Sequence, residues 1–225
     1  DHIDIYVTHR SASSIIPVDE TLGALTDLVR QGKVRYIGCS THPAWEIMEA
    51  LMVSELKGFA RYVVESSPYN LLDRRVENER VPLCQRYQLA MVPWSPIAMG
   101  MLAGRYPVDQ PFPEGSRAAA NPEGIYAQRI NRRGLLAAAR VPEIAARYGL
   151  TPAQASLLWV KDQPGVTSPI IGPRNVEQLQ EMLEVASLQA DAELCAAFDG
   201  INPPGMAASN FHNTSGWMKA AVTQD

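Results

Sequence analysis

Short apolar runs alternate with helical spacing along most of the chain. Ile3–Thr8 is rich in β-branched residues, and Val18–Gln31 has apolar residues at helical intervals up to Gly32, which ends that helix. The same pair of patterns recurs. Further strands are predicted at Val34–Ser40, Tyr62–Glu65, Leu89–Trp94 and Ser168–Ile171, and further helices at Pro43–Val53, Arg74–Tyr87, Arg140–Arg147, Pro152–Asp162 and Val176–Ala186. Nearly continuous apolar strands separated by helices predict a parallel sheet that is buried on both faces.

One segment, residues 107–131, does not follow this alternation. It is rich in Pro, Gly and Ala and has no helical period. A connection of this length is unusual inside a compact domain unless it has a function. We therefore predict a loop that closes over a site.

Composition and charge narrow the class of protein. The 225 residues are 46% hydrophobic and carry a net charge of -4, with Lys and Arg scattered along the chain. This distribution excludes a basic nucleic-acid surface and a basic membrane-binding helix. The three cysteines are Cys39, Cys84 and Cys195, an odd and widely spaced set that predicts reduced thiols and neither a disulfide nor a metal site. We expect a cytoplasmic protein without a membrane span, and composition leaves its oligomeric state open.

The handedness of parallel crossovers leaves two architectures, a doubly wound sheet and a (β/α)8 barrel. The hydrophobic pattern alone does not choose between them. In both architectures ligands bind at the carboxyl ends of the strands. Five residues with useful chemistry follow predicted strand ends, and we expect them to converge on one pocket: His9, Ser40, Ser66, Trp94 and Gly172.

Five sequence blocks make the chain similar to a known family. They are Ile3–Arg10, Gly38–Thr41, Glu65–Arg74, Val92–Tyr106 and Ile170–Leu179. In order and spacing they resemble the aldo/keto reductase superfamily. The resemblance implies a partial (β/α)8 TIM barrel in which this chain supplies the fourth to eighth strands. Residues 1–225 would then be the C-terminal part of a single barrel domain that begins about 90 residues earlier.

The resemblance also implies roles for individual residues. His9 matches the family's catalytic histidine beside the substrate carbonyl, and Trp94 matches the aromatic ring that stacks on a nicotinamide. The cofactor would be NADP, with Arg174 as the cation that selects the 2′-phosphate and Arg105 as a partner of another phosphate. The full set of implied cofactor-binding residues is Ser40, Thr41, Ser66, Trp94, Ser95, Pro96, Ile97, Ala98, Arg105, Gly172, Arg174, Gln178 and Glu181. No metal is implied.

The chain departs from the family pattern at several of these positions. Thr41 stands where Asn or Arg is usual, Ser66 where Gln is common, and Met182 where Asn is common. Arg105 replaces a frequent Lys. The first two changes shorten or remove amide groups that could contact a carboxamide, so we expect looser contacts to the nicotinamide.

The function implied by the resemblance is NADP-dependent reduction of aldehydes or ketones to alcohols. The Tyr, Lys and Asp of the family's catalytic tetrad belong to earlier strands, so we expect residues 1–225 alone to be inactive and poorly soluble. An alternative is a regulatory subunit of the same fold that senses the cofactor without catalysis. A third possibility, an aldolase, would need a lysine at a strand end, whereas Lys33, Lys57, Lys161 and Lys219 all lie in turn or helix contexts.

Overall fold

The computed structural model describes residues 1–9 and 16–212, so Arg10 of the first sequence block lies outside the described residues. A parallel four-stranded sheet organises this part of the chain, with its strands in sequence order. The strands are β1 (Ile3–Thr8), β2 (Val34–Ser40), β3 (Tyr62–Ser66) and β4 (Ala90–Met91). In register, Val7 is opposite Gly38, and Ser40 is opposite Ser66. The carboxyl ends of the strands therefore lie at one edge of the sheet.

Helices follow the strands and cover the sheet. Their bounds are α1 Val18–Arg30, α2 Ala44–Lys57, α3 Arg80–Tyr87, α4 Arg117–Ala120, α5 Ile125–Arg129, α6 Arg132–Ala138, α7 Val141–Arg147, α8 Pro152–Lys161, α9 Val176–Glu184 and α10 Ala192–Asp199. Local sequence explains several of these bounds. Thr151 and Gln154 form a reciprocal capping box in front of α8, and α2 ends at Gly58, whose φ is 64°.

The predicted strand at Ser168–Ile171 is wrong, because the structure has no regular strand there. The segment runs beside β4 instead, with a parallel bridge between Met91 and Val166 and a 2.7 Å hydrogen bond from Ile170 N to Pro93 O. Prolines explain the interruption, since Pro93 and Pro169 have no N–H to donate to a ladder. The segment still occupies the position of a fifth strand.

Two other predicted elements are also corrected. The helix predicted at Arg74–Tyr87 begins only at Arg80, after a 3₁₀ turn at Arg75–Glu77. This start keeps Pro82, which has no N–H to donate, in the first turn of the helix. The segment 107–131 is not irregular throughout, since it contains α4 and α5. Asn131 then caps α6 by accepting a 2.9 Å hydrogen bond from Gly134 N. Closure of this segment over a site stays a prediction.

Buried ion pairs and hydrogen bonds connect the loop after β3 to the end of the described chain. The Asp73 carboxylate is buried and accepts hydrogen bonds from Arg75 Nε and Nη2 at 2.8 and 2.6 Å. It also accepts one from the backbone N–H of Phe211 at 2.7 Å. The neighbouring Arg74 guanidinium is 3% exposed and pairs with Glu77 and with Asp199, the latter at 2.6 Å. These bonds satisfy charges whose burial would otherwise be costly.

The β1 strand has apolar side chains on the surface of the described chain. Ile3 and Ile5 are 48% and 46% exposed, and Tyr6 and Val7 are also exposed. β1 pairs with β2 on one side, and no described residue pairs with its other edge. Exposed apolar edge strands recruit other strands.

Replacing Asp73 by Asn tests the buried ion network. Burial alone would raise the pKa of Asp73, but hydrogen bonds from Arg75 and His212 hold it well below its usual value. A lowered pKa in the folded state adds stability above about pH 4 that is lost as the pH falls. We expect Asp73→Asn to lower the free energy of unfolding at pH 7 by about 3–5 kcal/mol. The difference from the unsubstituted chain should shrink below pH 4.

Urea unfolding followed by tryptophan fluorescence between pH 3 and 8 measures this difference. Asp109→Asn is the matched control, because Asp109 forms an exposed ion pair with Arg132. This substitution should change the free energy of unfolding little. A constant difference in the free energy of unfolding between Asp73→Asn and the unsubstituted chain across this range would contradict a lowered pKa of Asp73.

Candidate active-site cleft

Two adjacent cavities lie at the carboxyl ends of the strands. The first has a volume of about 580 Å³ and the second about 800 Å³. Both are lined by Ser95, Met99, Arg117 and Ile170, so they join into one elongated cleft. An elongated cleft at this edge of a parallel sheet suits a long ligand whose two ends differ chemically.

The second cavity brings together residues from all four strand ends. His9 follows β1, Ser40 and Thr41 lie at the end of β2, Ser66 ends β3, and Trp94 follows β4. Val7 and Val64 add apolar walls. A small polar group and a flat apolar ring can both contact this set.

Hydrogen bonds link these strand ends to one another. The Ser40 hydroxyl donates to the Ser66 carbonyl at 2.7 Å, and the Thr41 N–H donates to the same carbonyl at 3.0 Å. The Trp94 indole N–H donates to Thr41 Oγ1 at 3.3 Å. Gly38 allows the strands this close, because a Cβ there would lie 2.8 Å from the Val64 carbonyl oxygen. The indole edge is thereby fixed relative to β2.

Backbone strain concentrates around the cleft. Thr41, Ser95, Ala98 and Met99 have φ values between 49° and 61°, in the left-handed region that residues with a Cβ rarely adopt. Such conformations persist only where the surrounding structure imposes them, and they cluster at functional sites. The strained turn after Trp94 therefore indicates a functional site.

Glu65 lies behind the cleft, on the opposite face of β3 from Val64 and Ser66. Its side chain is fully buried, and Ser67 donates a hydrogen bond to Oε1. Burial raises the pKa of Glu65 to about 7, while the Arg80 charge and the Ser67 hydrogen bond oppose that increase. At neutral pH this carboxyl is thus divided between its neutral and charged forms.

The first cavity receives the segment that follows the fifth strand position. Gly172 and Arg174 line it, together with Gln178 of α9. The Gln178 side chain accepts a 2.9 Å hydrogen bond from the Arg174 N–H, which ties this turn to the start of α9. Glu181 also lines the cavity, and its carboxylate accepts a hydrogen bond from the Thr151 hydroxyl at 2.5 Å.

On the other side of the first cavity, the strained turn after Trp94 continues as Pro96 and Ile97. Arg105 follows and donates to the Gly115 carbonyl at 3.2 Å. The lining thus includes the cations Arg105, Arg117 and Arg174. Helix N-termini and arginines of this kind bind anions, phosphates above all.

The structure brings the residues expected from the sequence to this cleft, with one exception. All lie on the lining of one or both cavities except Ala98, which is fully buried within the strained turn. Met182, expected to depart from the family pattern, also lines the first cavity.

Residues of the 107–131 segment were missed as individual site residues. Ile125, Tyr126 and Arg129 line the second cavity, and Arg117 lines both cavities. The unusual length of this segment in the sequence is the feature from which these residues could have been predicted.

These features define a parallel α/β protein with a cleft at its strand ends that combines cations, a histidine and an aromatic ring. The family model described as "Aldo/keto reductase family" matches residues 1–203. The chain belongs to this family, and its sheet is therefore part of a (β/α)8 barrel. Aldo/keto reductases are oxidoreductases that generally use NAD(P)H.

Curated relatives agree with this membership. The chain is 34% identical over 206 residues to "Uncharacterized oxidoreductase YrpG" of Bacillus subtilis (strain 168), which covers 91% of the chain and 60% of the relative. It is 32% identical to "Aldo-keto reductase AMT2" of Alternaria alternata, covering 86% of the chain and 50% of the relative. It is also 32% identical to "Putative voltage-gated potassium channel subunit beta" of Schizosaccharomyces pombe (strain 972 / ATCC 24843), covering 80% of the chain and 53% of the relative. The chain spans about half to three fifths of these relatives' length.

The described residues contain neither a membrane-spanning helix nor a metal-binding cluster. Across 1–9 and 16–212, no helix has the length and apolar character needed to cross a membrane. In the same ranges no cluster of His, Cys, Asp and Glu side chains could hold a metal ion.

Replacing Glu65 by Gln tests the electrostatics behind the cleft. An acid whose folded pKa is raised to about 7 loses stability as the pH rises from about 4.5 to 7, because folding then keeps a proton that the unfolded chain releases. We expect Glu65→Gln to remove this loss. Between pH 5 and 8 the free energy of unfolding of the variant should therefore rise by up to about 3 kcal/mol relative to that of the unsubstituted chain. Urea unfolding at several pH values measures the gain.

Glu49→Gln is the control, because Glu49 lies on α2 outside both cavities. A stability difference between Glu65→Gln and the unsubstituted chain that does not vary with pH would contradict a raised pKa.

Proposed function

We propose that this chain contributes the cofactor-binding half of an NADP-dependent reductase of aldehydes or ketones. The observation that carries the proposal is the continuous cleft, in which Arg105 and Arg174 line only the first cavity and Trp94 and His9 line only the second. NADP has a matching polarity, with phosphates at its adenosine end and a flat ring at the reactive end.

The residues of the cleft fit such a cofactor. Arg174, beside the start of α9, would hold the 2′-phosphate, and Arg105 and Arg117 would contact the pyrophosphate. Gln178 and Glu181 would contact the adenine side, and Gly172 would allow close approach of the backbone. The strained turn at Ser95, Pro96, Ile97 and Ala98 would follow the pyrophosphate toward the ring.

At the other end, Trp94 would stack on one face of the nicotinamide, while Ser40, Thr41 and Ser66 would face its carboxamide. Bound NADPH would supply the hydride that reduces the carbonyl carbon. His9 would orient the carbonyl by hydrogen bonding, and the apolar walls of the second cavity would exclude water. The substrate is a small carbonyl compound.

We further propose that residues 1–225 are the C-terminal part of one longer barrel domain. Two observations support this: the curated relatives are longer, and β1 exposes apolar side chains that strands of a closed barrel would cover. The proton donor of the reaction would then lie in that other part. Cys39, Cys84 and Cys195 are free thiols, which fits a reducing cytoplasm.

A second candidate function is a non-catalytic regulatory subunit that binds the cofactor. It is favoured by the 32% identity to a relative whose printed name is a putative potassium channel subunit. The two functions differ in one property, because a regulatory subunit would not turn over a carbonyl substrate repeatedly.

Arg174→Ala tests the assignment of the phosphate end. In the extended protein, meaning this chain with its upstream coding sequence, we expect NADPH to bind more tightly than NADH. Loss of a charge-assisted contact should weaken NADPH binding by about 1.5–3 kcal/mol and leave NADH binding nearly unchanged. Fluorescence titration with both cofactors measures the ratio of dissociation constants. Arg133→Ala, an exposed arginine outside both cavities, is the control, and an unchanged ratio in Arg174→Ala would refute the assignment.

Comparing residues 1–225 with the extended protein tests whether the proposed remainder of the barrel is needed for catalysis. The extended protein should oxidise NADPH over many turnovers with 4-nitrobenzaldehyde. Residues 1–225 alone should sediment as associated species and show no turnover, since their β1 edge is open and a proton donor is lacking. A monomeric, active 1–225 would contradict the proposed division, whereas cofactor binding without turnover by the extended protein would favour the regulatory function.

A further inference from the structure

Thr41 connects two strand ends of the second cavity through its side-chain hydroxyl. It directly follows β2, is 4% exposed and lines the cavity. Its Oγ1 accepts a 3.3 Å hydrogen bond from the indole N–H of Trp94, which follows β4. The same oxygen lies 3.3 Å from the Oγ of Ser40, the last residue of β2. One hydroxyl group thus contacts both the aromatic ring of the cleft and the end of a neighbouring strand.

The chemistry of the donors and acceptors gives these bonds a single direction. An indole N–H can only donate, and a carbonyl oxygen can only accept. Ser40 uses its proton in the 2.7 Å bond to the Ser66 carbonyl, so the bond between the two hydroxyls takes its proton from Thr41. A lone pair of the Thr41 oxygen is then left to accept the indole N–H. The hydrogen-bond chain therefore runs from Trp94 through Thr41 and Ser40 to the Ser66 carbonyl.

The backbone of Thr41 is strained, which shows that the surrounding structure imposes its position. Its φ is 61°, in the left-handed region, where a β-branched residue is an outlier. Such a conformation persists only where neighbouring contacts over-determine it, and it is typical of functional sites. Glycine would adopt this φ without strain, but it would lose both hydroxyl contacts. The side chain of Thr41 therefore supplies something that an unstrained residue would not.

Burial alone does not explain the hydrogen bond to Trp94. This side chain is only partly buried, so water could bind its N–H. Trp159 shows the opposite case, because it is fully buried and its N–H has no hydrogen-bond partner among the described residues. Since the N–H lies at the edge of the indole, a bond to a fixed hydroxyl restricts rotation of the ring about its Cβ–Cγ bond. The bond from Trp94 to Thr41 therefore sets the plane of the ring.

The plane of an aromatic ring decides how well it can stack on a second ring. Stacked rings lie parallel and offset, so a rotated indole would lose part of the contact. We propose that Thr41 is a positioning residue, whose hydroxyl holds the Trp94 indole in the plane in which it stacks on the nicotinamide of NADPH. This inference rests on the proposed function. It gives Thr41 an action through Trp94, which is distinct from a direct contact with the carboxamide.

The test measures two dissociation constants in the extended protein, one for NADPH and one for 2′-phospho-ADP-ribose, which lacks the nicotinamide. The constant of this fragment divided by that of NADPH reports the contribution of the nicotinamide end. We expect Thr41→Val to lower this ratio about three- to tenfold, the range for one lost hydrogen bond. Thr41→Ser keeps the hydroxyl and should retain the ratio within about twofold.

Thr26→Val is the matched control for the loss of a buried threonine hydroxyl. The Thr26 hydroxyl donates to the Leu22 carbonyl and accepts from the Ala60 N–H, outside both cavities. This variant should leave the ratio unchanged. Circular dichroism checks that each variant is folded.

A double-mutant cycle separates action through Trp94 from direct contact with the cofactor. In Trp94→Phe the ring has no N–H, so adding Thr41→Val should change the ratio by less than about twofold. An equal fall in both backgrounds would mean that Thr41 contacts the carboxamide directly, and it overturns the inference. An unchanged ratio in Thr41→Val alone overturns it as well.

If Thr41→Val does not fold, Thr41→Gly takes its place in the cycle, because glycine adopts a φ of 61° without strain. The same fall in the ratio is expected, and its absence overturns the inference. The proposed function has a separate outcome. An unsubstituted protein that binds neither ligand, or binds NADPH no more tightly than the fragment, refutes the proposed function. One that binds NADPH and reduces carbonyls without the predicted fall in Thr41→Val refutes only the role of Thr41.

Discussion

The buried Asp73 carboxylate is the contact on which the arrangement of the cleft depends. It binds Arg75 in the loop after β3 and the Phe211 N–H near the end of the described chain. Phe211 in turn packs on the Arg129 guanidinium, which covers one face of Trp94. A single ion network thereby connects the end of one strand to the ring that lines the cleft. Since the Asp73 side chain is fully buried, removing one of its partners would leave its charge without full compensation.

Two kinds of electrostatic arrangement coexist around the sheet. Outside the cleft, buried charges are paired, as Arg74 is with Glu77 and Asp199. Inside the cleft, cations line both cavities, and Glu181, the carboxylate of the first cavity, is bound by Thr151. Cations placed along a cleft in this way favour an anionic ligand.

Local patterns were sufficient for most of the fold and for the strand-end residues. β-branched runs predicted β1 to β3, and the Thr151-Pro152 start predicted α8, because these signals act within a few residues. The segment at Ser168–Ile171 failed, since strand formation there depends on partners that Pro93 and Pro169 cannot supply. The place of Arg129 in the cleft could not be found from sequence either, because it follows from contacts with Trp94 and Phe211, which lie 35 and 82 residues away along the chain.

We propose that one cleft holds NADP in a single orientation. A crystal structure of the extended protein with NADP⁺ would show that orientation. We expect the 2′-phosphate within hydrogen-bond distance of Arg174 and the nicotinamide on the face of Trp94 opposite Arg129. A cofactor bound in the reverse direction, or outside the two cavities, would contradict it.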